Sequence, residues 1–169
     1  MGDFLFYVLP DGIDARAMRG EVPLVYAASD QFTRRGVRPG DTLWIVRCPE
    51  AGHLELAGRI VVDRITDRPT ATEILGRPLF ERANSVTGGV PNEFVLARAG
   101  THDHVRLTDI SEIAELLRFE PGDRSAPSRT HSDRLPRGFT GPHLQTLRIL
   151  TVESALILEN LWGRARRAL

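Results

Sequence analysis

The chain has 169 residues, 41% of them hydrophobic and 26% charged, enough for one domain with a buried core and unlike a disordered or low-complexity polymer. Its 22 acids balance its 22 basic residues, so the formal net charge is zero, and every basic residue is arginine. That excludes any mechanism needing a catalytic lysine amine and leaves each cation a planar fork suited to phosphate and to stacking on bases. A GC-rich bacterial genome is the expected reason for the arginine bias.

Charge is unevenly spread: residues 1–119 hold 14 arginines against 17 acids, and residues 120–169 hold 8 against 5. The single cysteine, Cys48, cannot form an internal disulfide and fits a cytoplasmic protein. No apolar run is long enough for a membrane span, so no membrane association is expected. Met1-Gly2-Asp3-Phe4 lacks the basic start of a signal peptide.

Phe4 to Leu9 is an apolar, aromatic and β-branched run stopped by Pro10-Asp11-Gly12, which predicts a buried first strand. Ile13 to Arg19 can form a short helix ended by Gly20, and Leu24 to Ala27 a second strand. Ser29 or Asp30 can cap a helical turn through Arg35, with Gly36 as its stop. Pro39-Gly40-Asp41 is a structural turn feeding a strand over 42–47, and a return strand follows over 54–63. Gly58 inside that return strand marks a bulge or a close backbone approach.

Thr70-Ala71-Thr72-Glu73 matches a capping box and predicts a short helix toward Leu75, closed by Gly76. Strands are expected over Glu93–Arg98 and His104–Leu107, then a helix capped by Asp109 or Ser111 and running through Leu117. From 120 to 142 the composition shifts to Pro, Gly, Ser, Arg and Asp, a long loop or linker. A last strand over Leu144–Leu150 leads into a terminal helix capped by Thr151, with Val152, Ala155, Leu158, Leu161 and Trp162 at helical spacing. The expected layout is therefore a barrel domain over 1–119, a Pro/Arg-rich loop over 120–143, and a C-terminal strand and helix over 144–169 packed on the barrel.

Short strands joined by hairpins and interrupted by small helices give an α+β fold class, a small, partly open β-barrel with peripheral helices. The strand Phe4–Leu9, the aromatic-bearing Val25-Tyr26-Ala27-Ala28-Ser29, Arg38-Pro39-Gly40-Asp41 before Leu43-Trp44-Ile45-Val46, and the return strand Leu56-Ala57-Gly58-Arg59-Ile60 come in an order that resembles the PUA-like superfamily, and within it EVE and YTH domains. The resemblance covers roughly residues 3–120 and implies a nucleic-acid-binding module, DNA or RNA, that holds a modified, for example methylated, base in an aromatic pocket. It implies base contacts from Leu9, Pro10, Tyr26, Ser29, Asp30 and Trp44. Phosphate contacts are expected from Arg34, Arg35, Arg129, Arg134 and Arg137, which would make binding salt-dependent.

Other constellations read as structural. His102-Asp103-His104 lacks a third metal ligand nearby in sequence, and His131-Ser132-Asp133 lies in a Pro-rich stretch that cannot preorganise a triad. No metal or cofactor is expected, and the pattern favours binding over catalysis. Two alternatives stay open: a small hydrolase acting on a modified nucleoside, and an interaction protein whose terminal helix supports a homodimer.

Overall fold

The computed structural model describes residues 1–8, 15–79, 90–121, 132–145 and 147–167. In chain order they form β1 (Asp3–Tyr7), α1 (Ala15–Met18), β2 (Tyr26–Ser29), β3 (Thr42–Arg47), β4 (Glu55–Thr66), α2 (Arg68–Leu75), β5 (Glu93–Ala97), β6 (Thr108–Asp109), α3 (Ser111–Ala114), α4 (Gly141–Leu144), β7 (Arg148–Ile149) and α5 (Val152–Arg167). The strands make one seven-stranded sheet in the order β2-β5-β4-β3-β1-β7, with β6 beside β4. Every pairing is antiparallel except β1 with β3. The fold is thus mixed α+β on a mainly antiparallel sheet that does not close, as a partly open barrel requires.

Alternation along the strands sorts side chains between two faces. Phe4 and Phe6 of β1, Leu43 and Ile45 of β3, Ala57, Ile60 and Val62 of β4, Val95 of β5 and Ala27 of β2 share one buried cluster. Five strands meeting in one cluster means that the sheet curls around it. Phe32, from the turn after β2, enters the same cluster and lies against Phe6 with ring centroids 5.2 Å apart.

The opposite faces of β1 and β3, carrying Leu5, Trp44 and Val46, pack under α5 through Leu158 and Trp162. Leu135, Phe139 and Leu144 complete that outer layer, so the part of the 120–142 segment that is described from residue 132 is anchored rather than free. A third cluster holds Tyr26, Phe94 and Leu96 against Ala71 of α2 and Leu79.

The Pro39-Gly40-Asp41 turn does the structural work expected of it. Asp41 accepts hydrogen bonds from the Gly2 amide at 2.7 Å and the Arg38 amide at 2.8 Å, tying β1 to the start of β3. In the β3–β4 hairpin the register shifts after Ile45, with Gly58 opposite Ile45 and Leu56 opposite Val46, so Ala57 is the bulged residue. Gly58 thus adjoins the bulge, and a Cβ on it would sit 3.3 Å from the Leu24 side chain at Cδ2, an approach by a side chain and not by another backbone.

Several boundaries differ from the sequence-based expectation. α2 begins at Arg68, because Asp67 is its N-cap and accepts from the Thr70 amide at 2.9 Å, while Pro69 fits a first turn that needs no amide proton there. β2 starts at Tyr26 rather than Leu24, since Pro23 forms only an isolated bridge to His104. His104 makes that bridge alone, and 105–107 are irregular. α3 stops at Ala114 instead of reaching Leu117. The expected 144–150 strand is instead the end of α4 and the two-residue β7, because Thr140 and His143 form a capping box with Pro142 in the first turn. Thr151 caps α5 as expected, its Oγ1 accepting from the Ser154 amide at 3.3 Å.

Candidate functional site

The two ends of the sheet path are β2 and β7. Among the described residues no strand ladder joins them; besides packing of Ala27 and Phe32 with Leu147, one side chain from the turn that leaves β2 links them by hydrogen bonds. The Gln31 carboxamide donates from Nε2 to the Gln145 carbonyl at 3.2 Å and accepts the Leu147 amide on Oε1 at 3.0 Å. This seam lies at the end of β1 that leads into residues 9–14, which fall outside the described residues together with Leu9 and Pro10 of the expected pocket rim.

The turn itself is tightly held. Ser29, buried, accepts the Gln31 amide on Oγ at 3.2 Å, and Asp30, exposed, accepts the Asn92 amide at 3.0 Å. The Thr33 amide donates to Glu93 at 3.0 Å. The Arg35 amide closes one helical turn on the Gln31 carbonyl at 2.9 Å, and Gly36 ends it at φ +77°. Ser29 and Asp30 thus have structural partners, and each keeps capacity: the Ser29 hydroxyl proton and the second Asp30 oxygen.

Two arginines ride on this turn. Arg34 is exposed. Arg35 is half-buried, and its Nε is enclosed with no hydrogen-bond partner. Asp30 and Glu93 nearby are each bound to a backbone amide.

Tyr26 stands at the head of β2 but is only 7% exposed. Its ring lies 6.2 Å from Phe94, centroid to centroid, and the Arg77 guanidinium sits 5.9 Å from its centre. Arg68 caps Phe94 in the same way at 5.0 Å. Tyr26 is therefore a packed wall of the third cluster, covered by a cation rather than open.

Trp44 departs further from the base-contact role. It is 1% exposed, sits in the layer beneath α5, and donates its indole N–H to Asp3 at 2.9 Å. Alternation along β3 sends it outward while Leu43 and Ile45 point inward, so it shares no wall with Tyr26. Arg134 and Arg137 are exposed, on the segment anchored by Leu135 and Phe139, and Arg134 lies 3.5 Å from Asp133. Arg129 and His131 fall outside the described residues.

Several other titratable groups form ion pairs. His53 lies 3.5 Å from Glu50, 3.8 Å from Glu55 and 3.6 Å from Asp109. The Ser111 hydroxyl donates to Asp109 at 2.5 Å rather than to His53, so no Ser–His pair forms there. That bond and the Ser111 amide hold the Asp109 carboxyl below the ordinary carboxylate value, with His53 adding to the effect. Asp103 pairs with Arg166 at 3.5 Å, and His104 bonds the Gly20 carbonyl at 2.9 Å. Burial pushes up the pKa of Cys48, whose thiol donates to the Glu50 carbonyl at 3.1 Å. Among the described residues no group of three or more His, Cys, Asp or Glu side chains is placed to hold a metal ion.

No family model matches the chain, and no curated protein was found to be significantly similar to it. The groups that sequence reasoning missed here are Gln31, Arg68, Arg77 and Phe94. Only Phe94, in an apolar strand run, carried any local signal.

Proposed function

We propose that this chain is a nucleic-acid-binding module of PUA-like, EVE-type architecture that binds without catalysis. In this reading the turn over 29–36 is its phosphate- and base-contacting element. The observation that carries it is Arg35. A guanidinium N–H enclosed without an acceptor costs on the order of 1–3 kcal/mol, and a phosphate oxygen would supply the acceptor once the half-buried side chain turns outward. Exposed Arg34 beside it adds the long-range attraction that steers a polyanion.

The base then enters the seam bridged by Gln31, where the Ser29 hydroxyl and the free Asp30 oxygen read its edge. Tyr26, which alternation puts on the other face of β2 in the third cluster, supports that end of the strand and does not stack on this base.

Fluorescence anisotropy against plain, methylated and hydroxymethylated DNA and RNA tests this reading. Binding should weaken with salt, and Arg35→Gln should lower the slope of log K against log salt by about 1. Absence of binding at low salt to every probe, or an unchanged slope in Arg35→Gln, would refute it.

A further inference from the structure

α5 buries Ser154, Ala155, Leu158 and Trp162 and leaves the opposite face uncovered. On that face Val152 is 71% exposed and Leu156 58% exposed, and Asn160, Gly163 and Arg167 continue the same line at helical spacing. Leu116 is 55% exposed and flanks the N-terminal end of the helix, where the Arg118 amide donates to Ser154 at 2.7 Å. Gly163 is the odd member of this line. Glycine in a helix interior costs about 1 kcal/mol relative to alanine. Among the described residues a Cβ there would meet only the tip of the Arg167 side chain at 3.6 Å, so none of them requires a glycine.

We propose that α5 pairs with α5 of a second copy of this chain, antiparallel about a twofold axis at the level of Glu159 and Asn160. That register seats Leu156 of each copy over the partner's Gly163, the one place on the line where a helix can approach closely. Charge selects the direction. Glu153 lies at the N-terminal end of the face, and Arg164 and Arg167 lie at the other end on the same flank. Antiparallel packing brings Glu153 to the partner's Arg164 and Arg167, whereas parallel packing would set like charges against each other. The two Glu159 residues near the axis are each already paired with Arg59 of their own chain at 2.5 Å.

Sixteen residues give a helix of about 24 Å. One helix pair buries less than the roughly 800 Å² per partner of a standard interface, so the dimer should dissociate in the micromolar range.

Sedimentation equilibrium of the full chain from about 5 to about 500 μM tests the pairing. The wild type should shift from monomer to dimer. Leu156→Glu should stay monomeric with an unchanged melting temperature, since the site is exposed. Glu153→Arg should weaken the dimer at least fivefold, and adding Arg164→Glu and Arg167→Glu should restore it. In a Cys48→Ser background, Asn160→Cys should form a disulfide-linked dimer on oxidation. Val152→Cys should not, because its two copies lie roughly 22 Å apart in the antiparallel register. A wild type monomeric throughout, a dimer indifferent to Leu156→Glu, or cross-linking through Val152→Cys would overturn the proposal; a monomeric result would leave the face to a different partner.

Discussion

Replacing Gln31 by alanine should open the seam between the two ends of the sheet. The substitution removes two hydrogen bonds whose partners lie 114 and 116 residues further along the chain. Each bond contributes a net of about 0.5–1.5 kcal/mol. The two partners are not equivalent once Gln31 is gone. Gln145 is exposed, so water can replace the lost donor on its carbonyl. Leu147 is buried, so its amide loses the one acceptor it has among the described residues and bears a desolvation cost.

The balance is a destabilisation of about 1–3 kcal/mol, which for a chain of this size lowers Tm by roughly 3–8 °C. Urea unfolding followed by circular dichroism measures the first quantity. Amide hydrogen exchange locates it, since protection should fall first at Leu147. Gln31→Glu sharpens the case: it keeps an acceptor for Leu147 but cannot donate to Gln145, so exchange at Leu147 should stay slow. A change below about 0.5 kcal/mol in Gln31→Ala, with Leu147 protection intact, would show that the seam is held by packing alone.

A Cβ at Gly141 would overlap the Tyr7 hydroxyl and sit 3.0 Å from Tyr7 Cζ, so Gly141→Ala should cost about 1–3 kcal/mol. Combining it with Tyr7→Phe should recover part of that loss, and a double-mutant cycle that is additive would contradict the contact. Hydrogen bonds from Thr70 hold the Asp67 carboxyl below its ordinary 3.8. A lowered folded value means that this stabilisation is complete above the unfolded pKa and is lost as pH falls through the folded one. Acid unfolding of Asp67→Asn should therefore be less steep below about pH 4 than that of the wild type, and superimposable curves would remove the cap from the account.

What the sequence made legible follows the range over which each feature is determined. β1 and β3 could be read because unbroken apolar runs such as Leu43 to Val46 specify a strand buried on both faces from local composition alone. The Asp41 turn and the Gly58 bulge were legible for the same reason: backbone geometry restricts which residues fit there. The start of α2 was misplaced because two caps compete within four residues, and Asp67 with Pro69 prevails over the Thr70 box. Tyr26 was expected to contact a base, yet its burial is set by α2 and Phe94, which lie 42 to 68 residues downstream. Gln31 carried no signal at all. A glutamine after a strand is ordinary until the fold brings Leu147 beside it.

Gln31 also joins the structural account to the functional one. Its side chain bridges the sheet ends, and its backbone carbonyl accepts the Arg35 amide at 2.9 Å, so the bridge and the arginine belong to one turn. The two residues therefore act on binding through different terms. Arg35 would contribute a charge to the phosphate, which is read in the salt slope. Gln31 would contribute only the position of that charge, which is read in affinity at constant slope. A closed strand ladder would hold the same ends more rigidly and occupy the backbone groups along both edges. Among the described residues a single carboxamide hydrogen-bonds them at two points, and no strand is laddered on the rest of the β2 edge next to the turn that carries Ser29, Asp30 and Arg35. In the proposed function the ligand therefore meets this turn, and not the densely packed strand pair around Trp44.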